Sequence, residues 1–268
     1  MKQKGALLTV FLAVLIDLMG FGIVLPLLPF YASIFNVSAF QVGLLYSIYS
    51  LAQLVFSPYW GGLSDRVGRR PIMLVSTFGS SLAYLVFAFS NSYGILFASR
   101  LIAGIMGGNI STAQAYVADV TTLEDRAKGM GIIGAAFGIG FVLGPALATL
   151  LIHSAFLKLF HISEAHRFMV PGFFASLLSF TSFLLVWFKL PETKHAAQNE
   201  NDPGRIVKDS IFGAAFWRNV LEEKRYAKHF FPLLMLSMFL LSFGHSSLYS
   251  AFPLFCKDLL ELSAQDVR

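Results

Sequence analysis

Asp17 and Arg100 are the ionisable residues of this sequence that lie deep within long apolar runs, Gly5 to Phe30 (helix 1) and Tyr93 to Asp119 (helix 4). A charged side chain in hydrocarbon costs roughly 2.5 to 3.5 kcal/mol on insertion scales, so one that persists there marks a site or a pair. At about 1.5 Å of rise per residue, Asp17 stands about 18 Å above the inner boundary. Arg100, entering from outside, stands about 20 Å above the same boundary of a core about 30 Å thick. A shared depth lets the two face each other. A carboxyl beside a guanidinium in a low-dielectric cavity can take up and release a proton as hydration changes, so the expected role of both is proton coupling. The structural alternative is a permanent ion pair tying helices 1 and 4 together.

Polar groups gather around this pair in a pattern. At about 100° per residue, Arg100, Gly104, Gly107, Ser111 and Gln114 form one stripe of helix 4, with Asn109 and Tyr116 directed elsewhere. On helix 2 (Val42 to Trp60), Tyr46, Tyr49, Ser50, Gln53 and Ser57 share a face. Aromatic surface with hydrogen-bonding groups suits an amphipathic organic ligand. The expected substrate cavity is therefore Tyr46, Tyr49, Gln53, Gly104, Ser111 and Gln114. The same residues would also serve close packing of helices through small and polar side chains.

The elements that must hold these residues follow from composition. The chain has 268 residues, is 56% hydrophobic and 13% charged, and has a mean hydropathy of +0.68. That is too apolar for an ordinary soluble domain. Crossing a bilayer takes roughly 20 apolar residues, and seven stretches reach that length. Besides helices 1, 2 and 4 these are Pro71 to Ser90, Gly129 to Ile152, Phe168 to Phe188 and His229 to Phe255 (helices 3, 5, 6 and 7). Helix 1 is longer than a signal-peptide core and is followed by no small-residue cleavage site, so it is read as retained.

Lys2, Lys4, Arg66, Arg69, Arg70, Arg126, Lys128 and eight further basic residues from Lys189 to Lys228 fall on one side. Basic loops stay in the cytoplasm, which places the amino terminus inside and, with seven helices, the carboxyl terminus outside. The net charge of +5 is spread between apolar runs, which does not make a nucleic-acid groove. The single cysteine, Cys256, excludes an intramolecular disulfide and a multi-cysteine metal site. His153, His161 and His166 have no acidic partner at ligand spacing, so no metal is expected. His245 and its neighbouring serines lack a nucleophile, base and orienter, so no enzyme is expected. Nor has helix 7 a central lysine for a retinal Schiff base.

Between helices 2 and 3 the chain reads Gly61, Gly62, Leu63, Ser64, Asp65, Arg66, Val67, Gly68, Arg69, Arg70, Pro71. Its glycines permit a tight turn, and its guanidinium groups can pair with Asp65 and with Asp119 at the inner end of helix 4. The segment resembles the cytoplasmic loop motif of the major facilitator superfamily with every defined position filled. Helix 5 carries Gly131, Gly134, Gly138, Gly140, Gly144 and Pro145. The run from Gly140 to Pro145 resembles the motif of proton-driven antiporters in that superfamily, although Ala148 stands where a further glycine is common. Arg100, Gly104, Gly107 and Gly108 resemble the superfamily motif linked to proton transfer. Asp17, Gly20, Phe21, Gly22, Pro26 and Pro29, with Pro191, Glu192 and Thr193 after helix 6, are similar to bacterial drug and tetracycline efflux proteins.

The resemblance implies an all-α membrane protein: a six-helix bundle over 1–190, built as a 3+3 inverted repeat, and a cytoplasmic connector over 191–228 with an interfacial segment in its second part. The first helix of an incomplete second bundle follows over 229–268, truncated from twelve helices. An offset of 225 residues aligns Val37, Ser38, Ala39 and Val42 with Leu262, Ser263, Ala264 and Val267, in keeping with helix 7 restarting the pattern of helix 1. The implied function is proton-coupled efflux of small amphipathic compounds such as tetracycline-like antibiotics, across a bacterial inner membrane and without a cofactor. Gly61, Asp65, Arg66, Gly68, Arg69, Arg70 and Asp119 would form a cytoplasmic gate, and Gly134, Gly138, Gly140, Gly144 and Pro145 the antiporter helix. The absent helices would pack on helices 2 and 5. The alternatives are an inactive or half-transporter fragment that needs a partner chain, and an importer of a small metabolite.

Overall fold

A computed structural model describes residues 2–163 and 166–193, together with 233, 236, 237, 239–241 and 244. The chain divides into two compact units, Met1–Ala196 and Ala197–Arg268. In the second unit the described residues are helical. The connector beyond residue 193 and most of the expected seventh helix lie outside the described residues.

Among the described residues of the first unit there is no strand. Its helices are α1 (Lys2–Val24), α2 (Leu28–Phe35), α3 (Ala39–Val67), α4 (Arg69–Ala88), α5 (Tyr93–Met106), α6 (Asn109–Val120), α7 (Arg126–Ile152), α8 (Ser154–Leu159) and α9 (Met169–Lys189). Together they make six runs long and apolar enough to cross a membrane: Gly5–Tyr31, Ala39–Val67, Arg69–Ala88, Tyr93–Val120, Arg126–Ile152 and Met169–Lys189. Two of these runs are interrupted. In the first, a 3-10 turn at Leu25–Leu27 separates α1 from α2. The cause lies in Pro26 and Pro29, which have no N–H to continue the helix. Tyr46 on α3 donates its hydroxyl to Leu25 O at 2.9 Å, the carbonyl that Pro29 leaves without its helical donor.

Helix ends follow local chemistry. Ser38 and Gln41 form a reciprocal capping box at the start of α3, which satisfies two backbone donors of the first turn. Ser92 caps α5 by accepting from Ile95 N. The loop expected from Gly61 onward begins later, because Gly61 and Gly62 stay inside α3. One residue, Gly68, makes the turn into α4 with φ +118° and ψ +156°, a backbone conformation that favours glycine.

α1 packs on α7 and α9, α4 on α5 and α9, and α3 on α5. One core cluster gathers Val10, Val14, Met73, Tyr116, Val117, Ile133 and Val186. The other gathers Ile23, Leu27, Tyr31, Leu45, Phe87, Leu96 and Ala175. Large apolar side chains point outward as well, among them Val142, Leu177, Trp187 and Phe188. Such a surface is a liability in water and a match for lipid tails.

Candidate functional site

The site grows from the second interruption, at Gly107 and Gly108 between α5 and α6. A break inside a membrane span frees backbone carbonyls that lipid cannot satisfy. Here three side chains take them. Trp60 Nε1 donates to Ile105 O at 2.6 Å, Gln53 Nε2 donates to Gly107 O at 2.9 Å, and Ser76 Oγ donates to Met106 O. Glycine is required because α3 lies against the break: a Cβ on Gly104 would collide with the Tyr49 backbone, and one on Gly108 with the Trp60 ring.

α6 opens with Asn109, a buried side chain that donates from Nδ2 to Asp17 Oδ2. The other carboxylate oxygen, Asp17 Oδ1, is buried and has no hydrogen-bond partner. Ser179 on α9 also neighbours this carboxylate, but its hydroxyl donates to Thr77 O at 3.2 Å. Further along, α1 is fixed by close contacts. The ring of Tyr84 fills the space a Cβ on Gly20 would need, and Phe21 lies on Tyr49 with ring centroids 4.5 Å apart.

Arg100 is 1% exposed. Its guanidinium carbon lies 5.1 Å from the centre of the Phe87 ring and 5.9 Å from that of Tyr84. Nε and Nη2 have no hydrogen-bond partner, and Asp17 holds Asn109 instead of Arg100. The expected face-to-face pairing of Asp17 with Arg100 is therefore absent. Their levels explain it. Asp17 is level with Asn109, and nine residues from Arg100 to Asn109 span about 13 Å of axis. A hydrocarbon core is about 30 Å thick, whereas Tyr93–Val120 has 28 residues, about 42 Å of helix. Arg100 thus stands well above Asp17.

The stripe expected to line a cavity also has a different setting. Arg100 and Gly104 are buried, Gly107 lies under Tyr49 and Gln53, and Ser111 donates to Ser57 O at 3.1 Å. Gly104, Ser111 and Gln53 hold α3 against the broken span, because small and hydroxyl residues let two helix backbones approach. Of the expected cavity residues, Gln114 is exposed, and Tyr46 and Tyr49 are half-buried.

At the Gly68 end, Arg69 joins three elements. Its Nη1 pairs with Asp65 Oδ1 at 2.6 Å and its Nε with Asp119 Oδ2 at 2.9 Å. Nη1 also donates to Ser64 Oγ at 2.6 Å. Glu192, just beyond α9, accepts from Arg69 N at 3.0 Å. Arg70 donates to Trp187 O at 2.6 Å, and the Tyr116 hydroxyl donates to Pro191 O at 3.1 Å. Arg66 is exposed, and Gly61 sits in α3 facing Ser111. Arg69 pairs with both Asp65 and Asp119. Glu192 joins the cluster through the fold, since nothing in its spacing links it to a loop more than 100 residues earlier.

On α7 the glycines divide. Gly140 packs on Leu18, and Gly144 and Pro145 pack on Gly22 of α1. Gly131, Gly134 and Gly138 have nothing within 4 Å of a Cβ position. Asn109 is the residue that sequence reasoning missed. A helical wheel drawn straight through Gly107 and Gly108 sets it aside from the stripe, and the adjacent glycine pair is the signal of a break there.

A family model described as Major Facilitator Superfamily matches residues 10–267. The class B tetracycline resistance protein of Escherichia coli is 37% identical over 192 residues, covering 69% of this chain and 44% of that protein. Multidrug resistance protein 2 of Bacillus subtilis strain 168 is 26% identical over 272 residues, covering 99% of this chain and 62% of that protein. Among solved structures, a bacterial homologue of the human lysosomal transporter Spinster, inward-facing and unoccupied, superposes with a TM-score of 0.77. It is 18% identical, covering 98% of this chain and 57% of that one, and so bears on the fold alone. The chain spans about half the length of the curated relatives it matches.

Proposed function

This chain belongs to the major facilitator superfamily of membrane transporters, and on that premise we propose that it works in the efflux of small amphipathic compounds in exchange for inward-moving protons. The observation that carries the reading is Asp17: a carboxylate inside a membrane span, with one oxygen held by Asn109 and the other buried and unpartnered. An acid so placed is costly unless it can be neutralised. Loading it with a proton removes the charge. A proton crossing inward yields about 2.3 kcal/mol per 100 mV, and exchange for substrate couples that to export. The relatives named for resistance to tetracycline and to multiple drugs support compounds of that kind as cargo.

In this mechanism Asp17 carries the proton. Arg100, a buried cation about 13 Å away along the axis, tunes it by its charge instead of by direct contact. Tyr46, Tyr49 and Gln114 border the substrate cavity, while Gln53, Gly104 and Ser111 hold the broken span that shapes it. The Arg69 cluster with Asp65, Asp119 and Gly68, flanked by Gly61, Arg66 and Arg70, is the cytoplasmic gate. Its ion pairs are partly exposed and individually worth little, which suits a contact that must break each cycle. The open faces of α3 and of α7 at Gly134 and Gly138 suit further helices that close the cavity, with Gly140, Gly144 and Pro145 fixing α7 to α1. The protein sits in the inner membrane with its amino terminus in the cytoplasm, in line with its basic loops.

The test is substrate-driven proton movement in everted membrane vesicles with tetracycline as the probe. The wild-type gene product should release protons on adding the drug, and Asp17→Asn should abolish this while still inserting. Undiminished exchange by Asp17→Asn overturns the role of Asp17. Absence of exchange by wild type overturns the efflux reading.

A further inference from the structure

We infer that Asn109 is the positioning residue for Asp17, fixing Oδ2 as the bonded oxygen and Oδ1 as the one that takes the proton. The inference rests on the proton-coupled reading above and adds to it a residue on the opposite side of a helix break.

A hydrogen bond donated to a carboxylate favours its charged form and fixes its orientation. Asn109 donates to Asp17 Oδ2 in hydrogen-bond geometry. The amide is buried, as is the free oxygen. Ser179 Oγ is the other hydroxyl beside this carboxylate, and it also lies 3.2 Å from Thr77 O, to which it donates. The break at Gly107 and Gly108 puts Asn109 at the first position of α6, and Trp60, Ser76 and Gln53 hold that break in place. The orientation of Asp17 is therefore tied to α3 and α4 as well as to α6.

Few other charges compete. α7 has no titratable residue between Lys128 and His153, and α9 has Lys189 at its far end. α6 offers Tyr116 and Asp119, two and three turns further along. α4 presents Tyr84 against Gly20, and α3 presents Tyr49 against Phe21. Phenols are neutral at physiological pH. Arg100 stands on the far side of these rings.

The test reads Asp17 itself. The protonated carboxyl gives an infrared carbonyl band that can be titrated in the gene product reconstituted in lipid, and Asp17→Asn identifies the band by its loss. In Asn109→Leu, which matches the amide in size and lacks the donor, the midpoint should move to higher pH by about one to two units, as expected for losing a hydrogen bond to a charged group. Asn109→Ala, which adds no bulk, should do the same and serves if the leucine variant does not fold. Thr112→Val, a buried change one turn along α6 at a hydroxyl without a partner, should leave the midpoint in place. Midpoints in the Asn109 variants that match wild type overturn the inference, as does an equal shift in Thr112→Val or the lack of an Asp17 band between about pH 4 and 10. Transport and titration separate the two claims. A shifted band in a protein that does not exchange protons rejects the efflux reading alone, whereas proton exchange with an unshifted band rejects the role of Asn109 alone.

Discussion

Arg100 and Asp17 are both embedded, yet the fold treats them differently. Asp17 has a donor; Arg100 has aromatic faces and two nitrogens without a partner. Two cation–π contacts contribute up to about 2 kcal/mol each when desolvated, while burying an unpaired ion costs several kcal/mol. The cost wins. Arg100→Met, similar in length and uncharged, should therefore leave the thermal unfolding midpoint in detergent unchanged or raise stability by about 1 kcal/mol or more, while lowering proton-coupled exchange. A lowered midpoint would show that Arg100 has a stabilising partner after all. The spacing of the sequence already marked both residues as unusual. It could not show that they fail to meet, because the depth of each depends on how far its own helix extends beyond the hydrocarbon.

At the scale of elements, the glycines of α7 separate by what lies opposite them. A Cβ on Gly144 would sit 2.7 Å from the Gly22 backbone, and backbone cannot swing aside. Gly144→Ala should destabilise by roughly 1 to 3 kcal/mol through overpacking between α1 and α7. Gly134→Ala meets nothing, and should be neutral or stabilising by up to about 1 kcal/mol from helix propensity. Thermal unfolding of the two variants side by side checks this; equal effects would contradict the packing. Gly68 bears two constraints. Its positive φ penalises any side chain, and a Cβ there would lie 2.6 Å from Glu192 Oε2. Adding Glu192→Ala to Gly68→Ala removes the collision and leaves the backbone strain, so the double variant should remain about 1 kcal/mol or more less stable than Glu192→Ala alone. Full recovery would assign the cost to the carboxylate. The glycine spacing of the loop was legible in the sequence. That one glycine turns and two stay helical was not, because the capping of α3 and the contact with Glu192 decide where the helix ends.

At the scale of the whole molecule, the six spans among the described residues and the alternation of basic loops yield a topology that can be tested from either side. In a Cys256→Ser background, Asn91→Cys, in the turn before α5, should react with a membrane-impermeant maleimide in intact cells. Leu123→Cys, 81% exposed between α6 and α7, should react after permeabilisation only. The reverse pattern would invert the orientation.

The apolar run lengths and the loop charges by themselves determined that this is a multi-pass helical membrane protein, and the resemblance carried by the glycine-rich motifs pointed to a transporter. Those signals are local and repeat along the chain, so one dimension suffices to read them. Tertiary structure decided which oxygen of Asp17 is held, and that Asn109 holds it. It decided that Arg100 stands apart, that Gln53 and Ser111 serve a helix break, and that Glu192 joins the arginine loop. Each of these depends on a break, a tilt or a chain end that sets two distant segments at one height. A wheel drawn on an unbroken helix of standard length contains none of that information.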